Sequence, residues 1–277
     1  MISCDYHMHT TWCDGRASAE DMVRAAIARG MTEIGFSGHS HTAFDESYCM
    51  SPAETENYRQ ELLALRKKYD GQISIRIGLE MDYYSDADPA GFDYLIGSVH
   101  YVRALAGTCS ARPDPAGVLR DGNRVYVPVD ETPQLQREAV ERYFGRDWIA
   151  FAECYFDTVG GAAEKTGCDI IGHFDLITKF NEGGVLFDEE DPRYRAAWMK
   201  AADRALASGA LFEINTGAMA KGYRSAPYPA APIREYIRSR GGRFILSSDS
   251  HRTDSLCHAF DQFEEEAAVT RLPLKQW

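Results

Sequence analysis

Short apolar runs alternate with longer amphipathic segments along most of the chain. The runs are apolar on both faces, as in GFDYLIGSV and CDIIG, which is typical of strands that lie buried beneath helices. They predict seven β-strands, at 2–8, 33–38, 73–81, 94–101, 169–174, 210–216 and 243–249. The amphipathic segments predict seven helices, at 18–29, 52–69, 134–144, 147–166, 191–208, 230–240 and 256–268.

Boundary signals support several of these helices. Ser18 and Ser51 each precede a first turn that carries acidic residues, and Pro192 occupies a first helical turn. Gly30 and Gly241 lie just after predicted helix ends, where a left-handed cap is expected. Strands and helices that alternate in this way indicate a parallel sheet with right-handed crossovers, and both an open doubly wound sheet and a closed barrel fit the pattern.

Ligand-type side chains follow the ends of six of the seven predicted strands. His7 and His9 end the first strand, and because alternate residues of a strand project from one face, both imidazoles can reach one metal ion. Asp14 follows in the next loop, whereas the sixth strand ends in Asn215-Thr216-Gly217, which is polar but a poor source of metal ligands. The other strand-end residues are His39 and His41, Glu80 and Asp82, His100, His173 and Asp175, and Asp249 and His251.

These polar strand ends decide between the two architectures. Only a closed barrel brings the carboxyl ends of all its strands to one point. We therefore predict an α/β fold, a seven-stranded (β/α)7 barrel, in a single domain that spans residues 1–277. Residues 103–133, which are rich in Gly, Pro, Asp and Arg, predict a long loop after the fourth strand that overhangs the site.

The converging polar residues predict a cluster of divalent metal ions. Seven of the eight histidines lie at strand ends. A single strand-end histidine is more often a buried hydrogen-bonding residue, but imidazoles and carboxylates crowded at one barrel mouth are very unfavourable without a cation. The nitrogen and oxygen ligands favour Zn, Mn or Fe, and their number predicts two to three ions. The eighth histidine, His258, falls in a predicted helix and is interpreted as structural.

Charge and composition narrow the choice of substrate and compartment. The net charge of −12 disfavours nucleic-acid binding, although a local metal cluster can still attract a small phosphate ester. The chain has no stretch of 18 apolar residues, so we expect no membrane span. Its strand-like pattern begins at Ile2, which leaves no room for a signal peptide, and its seven cysteines form no CxxC pair. We therefore predict a cytoplasmic protein with reduced thiols, among which Cys13 lies near the metal motif but is interpreted as passive.

The order of the motifs resembles the polymerase and histidinol phosphatase (PHP) superfamily across nearly the whole chain. The order is HxH, a strand-end His, GxE, another strand-end His, GH and finally DxH. Several stretches are similar to the monofunctional histidinol-phosphate phosphatases within that superfamily. They are DYHMHTTWCDGRAS, GLEMDYY, DYLIGSVHYV, YVPVD, IIGHFDLITKFN, EINTGAMAKGYRSAPYP and SSDSH.

This resemblance implies a distorted seven-stranded barrel with a trinuclear metal site. By motif, one ion would be held by His7, His9, Glu80 and Asp249, a second by Glu80, His100 and His173, and a third by Asp14, His39 and His251. We expect Glu80, Asp249 and His251 to be the catalytic members of this set. The implied reaction is in-line attack of a metal-activated hydroxide on phosphorus, which releases phosphate and L-histidinol in histidine biosynthesis.

The sequence departs from the family pattern at two places. Gly38 stands where the family usually has Asp, and His41 follows as an extra imidazole. Met219-Ala220-Lys221 stands where relatives commonly carry a basic pair, which would weaken a phosphate contact unless another basic residue compensates. The basic residues predicted to bind the phosphate are Lys221, Arg224, Lys179 and Arg252.

Further acidic residues are candidates for a substrate ammonium group or for support of the ligands. Asp82, Asp175 and Asp45 are the candidates for the ammonium group. Glu213 is in phase with Asn215 along the sixth strand, and we interpret it as a buried structural hydrogen-bonding residue.

Three functions fit these features. The leading hypothesis is a metal-dependent phosphomonoesterase that hydrolyses L-histidinol phosphate. The second is a PHP phosphoesterase that acts on another small phosphorylated metabolite or on nucleotides. The third is a metal-binding regulatory or scaffold protein without turnover. The expected partner is a small-molecule phosphate ester, with neither nucleic acid nor membrane, and the sequence leaves the oligomeric state open.

Overall fold

Seven parallel strands form the centre of the computed structural model, which describes residues 3–104 and 114–272. In chain order the strands of the protein are β1 (Cys4–Asp5), β2 (Glu33–Phe36), β3 (Ser74–Asp82), β4 (Tyr94–Ser98), β5 (Tyr101–Ala104), β6 (Leu119–Asp121), β7 (Arg124–Pro128), β8 (Ile170–Ile171), β9 (Leu211–Asn215) and β10 (Phe244–Ser247). The parallel sheet has the order β1-β2-β3-β4-β8-β9-β10.

The two edges of this sheet meet just beyond β1 and β10. Met8 and Ser250 form a parallel bridge. The backbone N–H of His9 donates to the carbonyl of Ser250 at 2.8 Å, and the N–H of Ser250 donates to the carbonyl of His7 at 3.1 Å. The sheet therefore closes nearly into a barrel, which confirms the predicted seven-stranded α/β fold.

Helices connect and cover the strands. They are α1 (Ala19–Ala28), α2 (Pro52–Lys68), α3 (Pro133–Tyr143), α4 (Trp148–Gly160), α5 (Ala162–Thr166), α6 (Pro192–Leu206), α7 (Gly217–Ala220), α8 (Ala231–Ser239) and α9 (Phe260–Phe263). The predicted caps are present, since the Ser18 hydroxyl accepts from the Asp21 N–H and Ser51 forms a capping box with Glu54. Among the described residues, none of these helices is long and apolar enough to cross a membrane.

Two predicted helices are wrong in extent. The helix expected at 147–166 is divided between α4 and α5 at Gly161. The helix expected at 256–268 is reduced to α9 and a 3₁₀ turn at Glu264–Glu266. Cys257 and Ala259 have φ angles of 53° and 54°, and since left-handed backbone cannot continue a right-handed helix, the segment before α9 forms turns instead.

The stretch expected as one long loop at 103–133 includes parts of a small sheet, so the prediction of a loop without strands is wrong. Strands β5, β6 and β7 pair antiparallel in the order β5-β7-β6, and only residues 105–113 of the stretch lie outside the described residues. Residues 125–129 are all buried, as in a strand that is covered on both faces. The end of β7 carries Asp130 and Glu131 to the mouth of the barrel.

Candidate metal centre

A cavity of about 850 Å³ opens at the carboxyl ends of the barrel strands. Its wall includes residues that follow β1, β2, β4, β8 and β10, together with Glu80 within β3. The predicted metal ligands that line it are Asp14, His39, Glu80, His100, His173, Asp249 and His251. The two remaining ligands, His7 and His9, are fully buried directly beneath it.

Glu80 is the centre of the arrangement. Its carboxylate is 1% exposed, and each oxygen faces several imidazole nitrogens. Oε2 lies 3.2 Å from Nε2 of His7, 3.4 Å from Nε2 of His9 and 3.1 Å from Nδ1 of His39. Oε1 lies 3.4 Å from Nε2 of His100 and 2.9 Å from Nε2 of His173. One buried carboxylate thus faces five imidazoles, as a ligand that bridges several ions would.

Ligand atoms gather into four overlapping groups, and within each group they lie within 4.8 Å of one another. The groups are His9, Asp14, His39 and His251; His7, His9 and Asp249; His7, Glu80 and His173; and His39, Glu80 and His100. All nine residues named by the sequence fall within these groups. These groups differ from the ligand sets that the resemblance implies. His9 also lies with Asp14, His39 and His251, and Glu80 groups once with His7 and His173 and once with His39 and His100.

The residues fit divalent metal ions by their chemistry. Nε2 of His7, Nε2 of His9 and Oε2 of Glu80 are buried and make no hydrogen bond within the described structure. Buried polar atoms without a partner are rare and costly in proteins, and such atoms from three neighbouring residues fit a bound cation. The donors are all nitrogen or oxygen, which suits Zn, Mn or Fe.

Electrostatics keep two of the candidate carboxylate ligands, Glu80 and Asp249, ionised. Burial alone would raise the pKa of Glu80, but the imidazoles of His39, His7 and His100 outweigh burial and hold it well below its usual range. Burial likewise opposes the charge on Asp249, yet Lys221 and the same imidazole cluster lower its pKa well below the ordinary value. Both groups are therefore carboxylates at neutral pH.

The imidazole of His9 is held neutral. Burial, followed by the neighbouring His251 and His39, lowers its pKa to about 3. Neutral imidazole is the form that binds a metal ion, so His9 needs no deprotonation at physiological pH.

The backbone of Asp249 has a strained conformation. Its φ angle of 49° lies in the left-handed region, which non-glycine residues rarely adopt. Gly217 faces it so closely that a Cβ there would lie 2.8 Å from the Asp249 Cβ. Strain of this kind concentrates at functional sites, where the surrounding structure fixes a side chain in place.

Two buried carboxylates orient the imidazoles from behind. Oε2 of Glu213 lies 2.8 Å from Nδ1 of His7, and its other oxygen accepts from Asn215 and from the backbone N–H of His173. Asp82 lies 3.2 Å from Nδ1 of His100 and accepts the backbone N–H of the same residue. Glu213 thus has the predicted structural role, and its partners show that this role supports the ligands.

Replacing Glu213 by Gln should weaken metal binding by about 10- to 100-fold, because the loss of a carboxylate behind a ligand histidine reduces its basicity and frees its ring. Competition with a chelating indicator measures this affinity. Glu33→Gln is the matched control. Glu33 is also buried, but it lies at the amino end of β2, away from the ligands at the carboxyl ends of the strands. Equal metal affinity in the wild type and Glu213→Gln would contradict the assigned role.

The predicted substrate-binding residues divide into two sets. Lys179, Lys221 and Arg252 line the cavity. Arg224 is not among the lining residues, and its guanidinium lies 3.1 Å from Glu182 and donates to the carbonyl of Thr178 at 2.7 Å. The structure therefore places Arg224 behind the wall of the cavity.

The acidic candidates for the ammonium group divide in the same way. Asp45 lines the cavity, whereas Asp82 and Asp175 do not. Asp82 is committed to His100, and Asp175 is fully buried and accepts the backbone N–H of Ala230 at 2.9 Å. Of the three candidates, only Asp45 therefore lies at the cavity wall, where its carboxylate accepts from the Tyr101 hydroxyl at 2.7 Å.

Several cavity residues escaped the sequence analysis. Tyr48 and Tyr101 form part of the wall beside Asp130 and Glu131, and the sequence analysis assigned a role to none of the four. His258 was wrongly interpreted as a structural helix residue: it is exposed, lies in the turn before α9 and lines the cavity.

Two residues near the site are not among its candidate ligands. Nε2 of His41 lies 3.1 Å from Glu46, outside the four ligand groups. Burial and the nearby Asp14 raise the pKa of the Cys13 thiol to about 12, which keeps the thiol protonated. This agrees with the interpretation of Cys13 as passive.

An α/β barrel with clustered imidazoles and carboxylates at its mouth defines a class of metal-binding barrel proteins. The PHP domain family matches residues 5–217, which is more than half of the chain, and the protein therefore belongs to the PHP family. This confirms the resemblance found in the motifs.

Individual relatives agree with this family. A probable histidinol-phosphatase of Deinococcus radiodurans is 28% identical over 90% of this chain and 86% of its own length. The crystal structure of a putative histidinol phosphatase from Listeria monocytogenes has a TM-score of 0.74 at 19% identity and covers 94% of this chain and 99% of its own. A histidinol phosphate phosphatase from Lactococcus lactis, solved with zinc, L-histidinol and phosphate, has a TM-score of 0.63 at 20% identity over 96% of this chain and 94% of its own. The two solved structures share the fold described here.

Proposed function

We propose that this protein is a metal-dependent phosphatase that hydrolyses L-histidinol phosphate to L-histidinol and phosphate. The observation that carries the proposal is the convergence of nine histidine and carboxylate ligands on a cavity large enough for a small ester. The relatives named as histidinol-phosphatases support the choice of substrate.

Two to three divalent ions, Zn, Mn or Fe, would be held by the four ligand groups, with Glu80 shared between ions. Bound ions supply Lewis-acid activation of water and neutralise the charge of a phosphate ester. Glu80, Asp249 and His251 would be the catalytic members of this ligand set. Lys221, whose Nζ lies 3.9 Å from Oδ2 of Asp249, adds positive charge at the place where the phosphate would bind.

The other side of the cavity suits the organic part of this substrate. Asp45, Asp130 and Glu131 line this side, and burial together with Asp45 and Asp130 raises the pKa of Glu131. Tyr48 and Tyr101 stand beside them, with ring centroids 6.2 Å apart. A substrate that carries an ammonium group and a flat ring next to its phosphate matches both features.

The test is phosphate release by protein supplied with Mn or Zn, from L-histidinol phosphate and from a panel of small phosphate esters. We expect kcat/KM to favour histidinol phosphate over phosphate esters of uncharged alcohols by at least about tenfold, since the loss of one charged contact costs that factor. A stronger preference for another metabolite or a nucleotide would replace the substrate assignment while keeping the phosphatase chemistry. Failure to release phosphate from any ester would contradict the proposed function itself.

A further inference from the structure

The loop at residues 10–17 is fixed to the barrel mouth by its backbone. The N–H of Arg16 donates to the carbonyl of His251 at 2.8 Å, and the N–H of Thr11 donates to the carbonyl of Ala17 at 3.0 Å. Gly15 packs directly against the chain before it, because a Cβ there would lie 2.5 Å from the carbonyl carbon of His9. The start of the Arg16 side chain is therefore held next to Asp14 and His251, two candidate ligands.

The Arg16 guanidinium is an unpaired cation of the cavity. It lines the cavity and is exposed, and within residues 3–104 and 114–272 it has no hydrogen bond or ion pair. The other cationic side chains of the wall have carboxylate neighbours: Lys179 lies 3.3 Å from Asp130, Lys221 lies 3.9 Å from Asp249, and Arg252 lies 2.7 Å from Asp254.

Arg16 differs from the other exposed arginines by its place at the cavity. Arg193 and Arg204 form ion pairs, whereas Arg137 and Arg243 form none among the described residues but do not line the cavity. An unpaired guanidinium beside a metal centre is available to a ligand, and its planar fork of donors matches two oxygens of a phosphate.

The segment at Ala220 supplies few cations to the cavity. Ala220, the last residue of α7, lines the same cavity and contributes no charge. Arg224, which follows in the next turn, points behind the wall to Glu182. Among the described residues of this segment, only Lys221 brings a positive charge to the cavity, so a phosphate there needs a guanidinium from elsewhere.

We propose that Arg16 binds the phosphate group of the substrate with its guanidinium. The inference rests on the proposed phosphatase function and assigns to Arg16 the bidentate contact that the segment at Ala220 does not supply. Arg16 acts on the phosphate group shared by all phosphate esters, so its role does not depend on the identity of the alcohol.

The experiment is calorimetric titration of metal-loaded protein with inorganic phosphate, for the wild type, Arg16→Gln and Arg16→Lys. Arg16→Gln should raise the dissociation constant by about 10- to 100-fold, since it removes a charged hydrogen-bonding pair, and Arg16→Lys should fall between the two. The matched control is Arg195→Gln, which removes an exposed arginine of α6 that pairs with Glu190 and does not line the cavity.

Metal content and kinetics complete the test. Metal content should be unchanged in Arg16→Gln, and kcat/KM for the preferred ester should fall by a similar factor. A dissociation constant within about twofold of wild type would overturn the proposal. Weaker phosphate binding accompanied by metal loss would also overturn it, because the effect would then come from Asp14. If histidinol phosphate proves not to be the substrate, loss of phosphate binding in Arg16→Gln still supports the role of Arg16.

Discussion

Replacing Glu80 by Gln should reduce phosphatase activity by roughly 10³-fold or more. The carboxylate faces five imidazoles and belongs to two of the four ligand groups, so its loss removes a shared ligand rather than a peripheral one. Gln has nearly the same shape but no negative charge, and its amide nitrogen cannot bind a cation. Activity and bound metal, the latter by elemental analysis, should fall together.

A matched substitution separates this effect from damage to the fold. Glu153→Gln changes an exposed carboxylate of α4 that pairs with Arg193 and does not line the cavity. It should cost less than about 1 kcal/mol of stability and leave turnover unchanged. A Glu80→Gln variant that keeps its metal and its turnover would remove Glu80 from the proposed mechanism.

Removing the metal with a chelator should abolish activity and lower the melting temperature by about 10 °C, because an ion that binds only the folded state stabilises it by several kcal/mol. Without ions, Glu80 and Asp249 remain charged beside buried imidazole nitrogens that have no hydrogen bond. Differential scanning calorimetry measures the shift, and added Zn or Mn should reverse it.

The Glu80→Gln variant provides the control for this experiment. Since it should bind less metal, the same chelator should lower its melting temperature by a smaller amount. A wild-type protein that is freed of metal, as verified by elemental analysis, and that melts at an unchanged temperature would show that the cluster does not stabilise the fold.

The strand-end histidines made the barrel and its centre predictable. His7 and His9 are two residues apart and so share one face of their strand, and single ligands follow the later strands. In a parallel barrel the carboxyl ends of the strands meet, so these side chains converge. The same reasoning failed for His258. Its neighbours Cys257 and Ala259 have left-handed backbone conformations, although neither is a glycine. The sequence therefore predicted a helix where the structure has turns at the cavity.

Features that depend on tertiary pairing were also hidden. The strands at 101–104 and 124–128 pair across a Gly- and Pro-rich stretch, and the alternation at Val125 and Val127 was too short to outweigh that composition. Arg16 lies within a stretch that is similar to the family but was assigned no role, since an arginine in a polar loop is usually a solvated charge. Its availability becomes visible only when the ion pairs of the other cavity cations are known.

The bridge between Met8 and Ser250 has a consequence for the order of assembly. The candidate centre combines side chains beside β1 with side chains beyond β10, which are among the most distant pairs in the described chain. During synthesis on the ribosome, the group of His7, His9 and Asp249 cannot form until the segment after β10 has emerged. The complete centre therefore forms late, and a fragment that ends before β10 would keep only the groups of His7, Glu80 and His173 and of His39, Glu80 and His100. Because contacts this remote in sequence form slowly, ion supply and barrel closure are expected to be coupled in the final folding step.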